Sequence, residues 1–101
     1  MMESVEAFET ELRRRVDRVE IERTALRYRV SVYGEDDEAL QALLPPATFL
    51  RTNRRKASRA FGFAADLAAW LECRLVDRTG ALSETDAVEL VTACGRAGAS
   101  R

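Results

Sequence analysis

Arg51-Thr52-Asn53-Arg54-Arg55-Lys56-Ala57-Ser58-Arg59 places five cationic side chains in nine residues, with no acid among them. Guanidinium and ammonium groups concentrated in this way contact anions, either phosphates or carboxylate-rich protein surfaces. Other chemistry is thinly represented. The chain has no histidine, so the commonest general base is missing. Lys56 is the only lysine and lies inside the cationic block, where a solvated basic face accounts for it. Cys73 and Cys94 are too few to bind zinc by themselves and read as buried free thiols. Glu35-Asp36-Asp37-Glu38 suits the first turn of a helix, where the dipole favours acids. Asp77-Arg78-Thr79-Gly80 lacks the alternating oxygen ligands of a calcium loop. A glycine-rich phosphate loop is also absent. No residue set amounts to a reaction mechanism, so the expectation is a non-enzymatic protein without cofactor or metal.

Charge is arranged in blocks. The first twelve residues carry four glutamates and no base; residues 13–34 carry seven arginines against three acids. Four acids occupy 35–38, and the basic block comes after them. The chain as a whole has a net charge of −1. Nucleic-acid-binding domains usually carry a high overall isoelectric point, and this near-neutral balance argues for a different principal partner. Alternating blocks also allow charge pairing within the chain or between copies. The acidic start lacks the basic and apolar regions of a secretory signal, and no apolar run approaches the roughly 20 residues of a membrane span. A cytoplasmic location is expected.

At 101 residues the chain fits one domain, read as 1–94 with 95–101 as a flexible C-terminal tail. Val5, Phe8, Leu12 and Val16 form one stripe of a helix over Ser4–Asp17. Period-two alternation then begins: Val19 and Ile21 against Glu20 and Glu22, and Leu26, Tyr28, Val30 and Val32 against Arg27, Arg29, Ser31 and Tyr33. Residues 26–33 are the clearest strand, closed by Gly34. The rival reading continues the first helix to Tyr33 on a seven-residue spacing, which turns Arg15, Glu22 and Arg29 inward. A short helix over Glu35–Leu44 ends at Pro45-Pro46. Residues 45–52 read as a loop, Asn53 as an N-cap, and the next helix as running to about Val76. Its inner stripe is Ala57, Ala60 or Phe61, Ala64, Leu67 or Ala68, Leu71 and Leu75. Ser83-Glu84-Thr85-Asp86 resembles a capping box opening a last helix to Cys94, with Gly95 as its C-cap. The expected fold is α+β and mostly helical: an N-terminal helix, a short antiparallel ribbon, then three helices around one core. The alternative is an all-α bundle.

Two regulatory architectures have partial likeness to this pattern. Strand, short helix and longer helix resembles the ribbon-helix-helix repressors, in which two subunits pair their strands. Pro45-Pro46 and the loop to Thr52 separate the helices more than that family allows. Ala57–Phe63 can also be read as the turn region of a helix-turn-helix, whose second helix would present alanines and no base-reading side chain.

The reading favoured is a small helical regulatory protein, forming a homodimer, that docks on another protein. Arg51, Arg54, Arg55, Lys56 and Arg59 supply steering, with Phe61, Phe63, Leu67 and Trp70 as the interface face. The alternative is a dimeric DNA- or RNA-binding regulator that adds Arg27 and Arg29 on the strand face to the phosphate contacts. No membrane or small-molecule partner is indicated.

Overall fold

The computed structural model describes residues 2–34 and 51–99. The helix expected over Glu35–Leu44 and the loop through Pro45-Pro46 to residue 50 lie outside the described residues.

The amphipathic first segment forms α1, Met2–Arg15. Its stripe buries Leu12, with Phe8 packed against the core. Three arginines close it at the negative end of its dipole. The chain passes directly into β1, Val16–Arg23. The helix ends two residues before the expected Asp17, because Val16 already belongs to the strand and pairs with Gly34. An irregularity in the ladder between Val16 and Arg18 lets Val16 and Val19 both reach the core despite their odd spacing. Thr24–Arg27 form the connecting turn, in which the Thr24 amide donates to the Arg27 carbonyl at 2.7 Å. β2 is Tyr28–Gly34. The expected strand start at Leu26 is therefore two residues early; Leu26 sits exposed at the turn.

β1 and β2 are antiparallel, with Val19 opposite Val32, Ile21 opposite Val30 and Arg23 opposite Tyr28 on one face. Arg18 opposite Tyr33, Glu20 opposite Ser31 and Glu22 opposite Arg29 occupy the other. Burial of the first set is why register is fixed: a one-residue slip would move every valine to the charged face.

After β2 the structure departs from the expected three helices. The described residues there hold two helices and two further strands. β3, Arg51–Arg54, pairs antiparallel with β2 where a loop and the Asn53 N-cap were expected. α2 is Ala57–Leu71, with Lys56 at its N-cap. β4, Arg74–Asp77, pairs parallel with β1 where the helix was expected to continue. α3 is Glu84–Ala99. The result is a four-stranded mixed sheet in the order β3-β2-β1-β4, an α+β fold and not an all-α bundle.

The expected helix to Val76 stops short for a local reason. Leu75 lies at helical spacing from Leu71, but Glu72 adopts the left-handed conformation at φ 56°, and the Cys73 amide closes back on the Ala68 carbonyl. Val19 and Ile21 on the β1 edge then supply a partner strand for Leu75. Within α2, Ala60, Ala64, Ala65, Leu67, Ala68 and Leu71 are buried, so the small side chains let the helix lie close on the sheet. The helix passes through Gly62 unbroken, which removes the helix-turn-helix reading. α3 opens as expected, the Asp86 amide donating to Ser83 Oγ at 3.1 Å, but it runs through Gly95 to Ala99 instead of ending there.

Candidate functional site

The basic block falls on two elements. Arg51 and Arg54 lie at the ends of edge strand β3, at the register positions opposite Ser31 and Tyr28. Arg55, Lys56 and Arg59 surround the N-terminus of α2, and all three are exposed. Helix starts normally attract acids and a side-chain cap. This one has no acid in its first turn, and Lys56 makes no capping side-chain bond. The positive pole of the dipole and three cations therefore add at one place.

Elsewhere Arg13, Arg14, Arg15, Arg18, Arg29 and Arg78 are paired with acids, whereas the scattered Arg23, Arg27 and Arg74 have no ion pair among the described residues. Arg14 and Arg15 both donate to Glu11 Oε1. Arg18 and Arg78 converge on Glu20, at 2.5 and 3.1 Å. Burial pushes the Glu20 carboxyl up, but hydrogen bonds from Arg78 and Arg18 outweigh it and hold the group below the usual glutamate range. Arg29 reaches Glu22 at 3.4 Å across the β1–β2 ladder. By contrast, no ion pair reaches Arg55, Lys56 or Arg59 among the described residues.

The expected nucleic-acid contacts on β2 are dispersed. Arg27 belongs to the exposed turn, and Arg29 lies on a sheet face shared with Glu20 and Glu22. β2 is an interior strand, flanked by β1 and β3, so it is not the free ribbon of a ribbon-helix-helix dimer.

No family model, curated protein or solved structure matches this chain. The functional reading therefore rests on the geometry.

The four residues of the expected aromatic face fall in four different settings. Phe61 is half-buried and its ring meets Tyr28 at 5.9 Å, tying the start of α2 to β2. Leu67 is 7% exposed and belongs to the core, because the helical repeat from Ala60 and Ala64 turns it toward the sheet. Trp70 is 39% exposed at the seam with α1: the Arg13 guanidinium lies 5.4 Å from its ring centroid, and Arg13 Nε donates to its carbonyl at 2.8 Å. Phe63 is half-buried one helical turn after Arg59.

Asp77 lacks calcium-loop partners, yet it organises the loop after β4. Its carboxylate accepts from the Thr79 amide, the Thr79 hydroxyl and the Leu82 amide. Burial raises its pKa, and these bonds more than offset that, leaving it below the ordinary aspartate range. An Asp-x-Thr-Gly pattern is the only local signal that could have found it. Glu20 had no such signal, since Arg78 is 58 residues away. The thiols are poorly suited to nucleophilic chemistry. Burial pushes Cys73 up to about 11, and burial with a neighbouring Asp66 raises Cys94. Among the described residues no cluster of three potential ligands can hold a metal ion, and no helix is long and apolar enough to cross a membrane.

Proposed function

We propose that this chain is a non-enzymatic, cytoplasmic binding protein that docks on an acidic surface of a partner protein through the N-terminal end of α2. The supporting observation is the division among its cations. Most of those of α1, β1 and β2 are matched to acids and the unmatched Arg23, Arg27 and Arg74 are scattered, whereas Arg55, Lys56 and Arg59 are exposed, unmatched among the described residues and gathered at one helix start. Unmatched charge at a helix start attracts an anion and accelerates encounter. Phe63, one turn along, offers apolar contact beside the charges. A protein partner is favoured over nucleic acid because Glu20 and Glu22 interleave with the arginines of the neighbouring sheet face. A phosphate backbone tracking along that face would be repelled.

The test is fluorescence anisotropy with a labelled glutamate-rich peptide and, in parallel, a random DNA duplex. Replacing Arg55 and Arg59 by Glu leaves the circular dichroism unchanged, since both residues are exposed. It weakens peptide binding by about tenfold or more. Equal affinity of variant and parent removes the block from the contact. Duplex binding that falls steeply with salt, without peptide binding, replaces this reading with the nucleic-acid one.

A further inference from the structure

β4 is an edge of the sheet, with β1 on one side and no described strand on the other. The Arg78 amide donates to the Ile21 carbonyl at 2.7 Å, which fixes the phase of the parallel ladder. Strand alternation then directs the N–H and C=O groups of Leu75 and Asp77 away from β1. Beside this edge runs a groove of about 380 Å³ between the strand and the start of α3. Leu82, Ala87 and Val88 form the apolar part of its far wall, with Ser83 and Glu84 beside them. Val88 is 63% exposed, beside buried Ala87 and among the exposed polar residues Asp86 and Glu89. A large apolar side chain at the rim of a groove flanked by unpaired backbone groups is a combination sheet proteins usually avoid.

The two faces of an added strand would meet different chemistry. Side chains on the helix side would enter the groove beside Val88. Those on the other side would meet Arg74, which is exposed and without an ion pair among the described residues, and Arg78, whose side chain is 58% exposed. A second copy fits poorly in the register centred on Val76, which sets Arg74 of one copy opposite Arg78 of the other.

We propose that the β4 edge binds an extended segment of a partner protein as a fifth strand, one with apolar residues alternating with acidic ones. Main-chain hydrogen bonds to Leu75 and Asp77 supply the attachment. The groove selects the apolar positions and Arg74 the acidic ones. This surface is at the opposite edge of the sheet from β3 and does not depend on the basic block.

The probe is a synthetic peptide of alternating valine and glutamate, added to the Arg55→Glu/Arg59→Glu protein so that the basic block cannot capture it. Amide hydrogen exchange is followed by NMR. The expected result is slowed exchange at Leu75 and Asp77. The same peptide N-methylated at alternate residues, in the phase that removes its donors to β4, gives no slowing. Val88→Asp, an exposed change that leaves the core intact, weakens binding by about tenfold. Unchanged exchange at millimolar peptide overturns the proposal, as does equal protection by both N-methylation phases. Concentration-dependent protection of these amides without peptide overturns it in favour of self-pairing.

Discussion

Glu20 shows how one side chain joins distant parts of the chain. It stands on the charged face of β1, opposite Ser31, and accepts from Arg18 two residues away and from Arg78 beyond β4. The carboxylate thus helps fasten β4 and the loop after it to β1. Its pKa is lowered in the folded state, so its contribution is complete above the usual glutamate range. That contribution is lost as pH falls through the range toward the native value. Glu20→Gln removes it: at neutral pH the variant is less stable by about 1–2 kcal/mol, with Arg78 left without its acceptor charge and Arg18 keeping only Asp17. In urea titrations the gap between parent and variant closes as the pH is lowered below the carboxylate range. A gap that persists unchanged at low pH would mean the side chain acts through packing, not charge. The alternation that placed Val19 and Ile21 inside and Glu20 outside was legible in the sequence, because period two is set by the strand alone. Its pairing was not, because Arg78 arrives through the parallel β1–β4 register.

Among the elements, α2 and the β1–β2 hairpin were readable and the two short strands were not. An apolar run from Ala60 to Leu71 with one charge announces a buried helix. β3 and β4 are four residues each, too short to display a period, and both form because an existing strand edge offers them hydrogen bonds. Arg51-Thr52 read as the end of a loop, Asn53 as an N-cap and Arg54 as the start of a helix, and the four form a strand only beside β2. The candidate site shares this history: the charges of the block were visible, but not its division between a strand and a helix start. Gly62 tests the account of α2. It lies within the helix, and a methyl group built there meets no atom within 4 Å. Gly62→Ala therefore gains helix propensity without a clash and stabilises the protein by about 0.5–1 kcal/mol in thermal unfolding. A destabilised variant would show that the helix needs a flexible point there.

Across the whole molecule the sheet separates two functions of charge. On its charged face, acids and arginines alternate across β1 and β2 and bind one another. At the β3 side, where the chain turns into α2, cations stand together with the positive helix pole and without acids in the first turn of the helix. An overall charge of −1 conceals this asymmetry, and only the fold reveals which cations are matched. The central claim is that the start of α2 is the docking surface. It is tested most directly by mapping backbone amide shifts of the labelled protein during titration with a glutamate-rich peptide at low and moderate salt. The account predicts shifts concentrated at residues 55–63 that shrink as salt rises. Shifts centred instead on the charged sheet face around Arg29 and Arg18, with residues 55–63 unmoved, would contradict it.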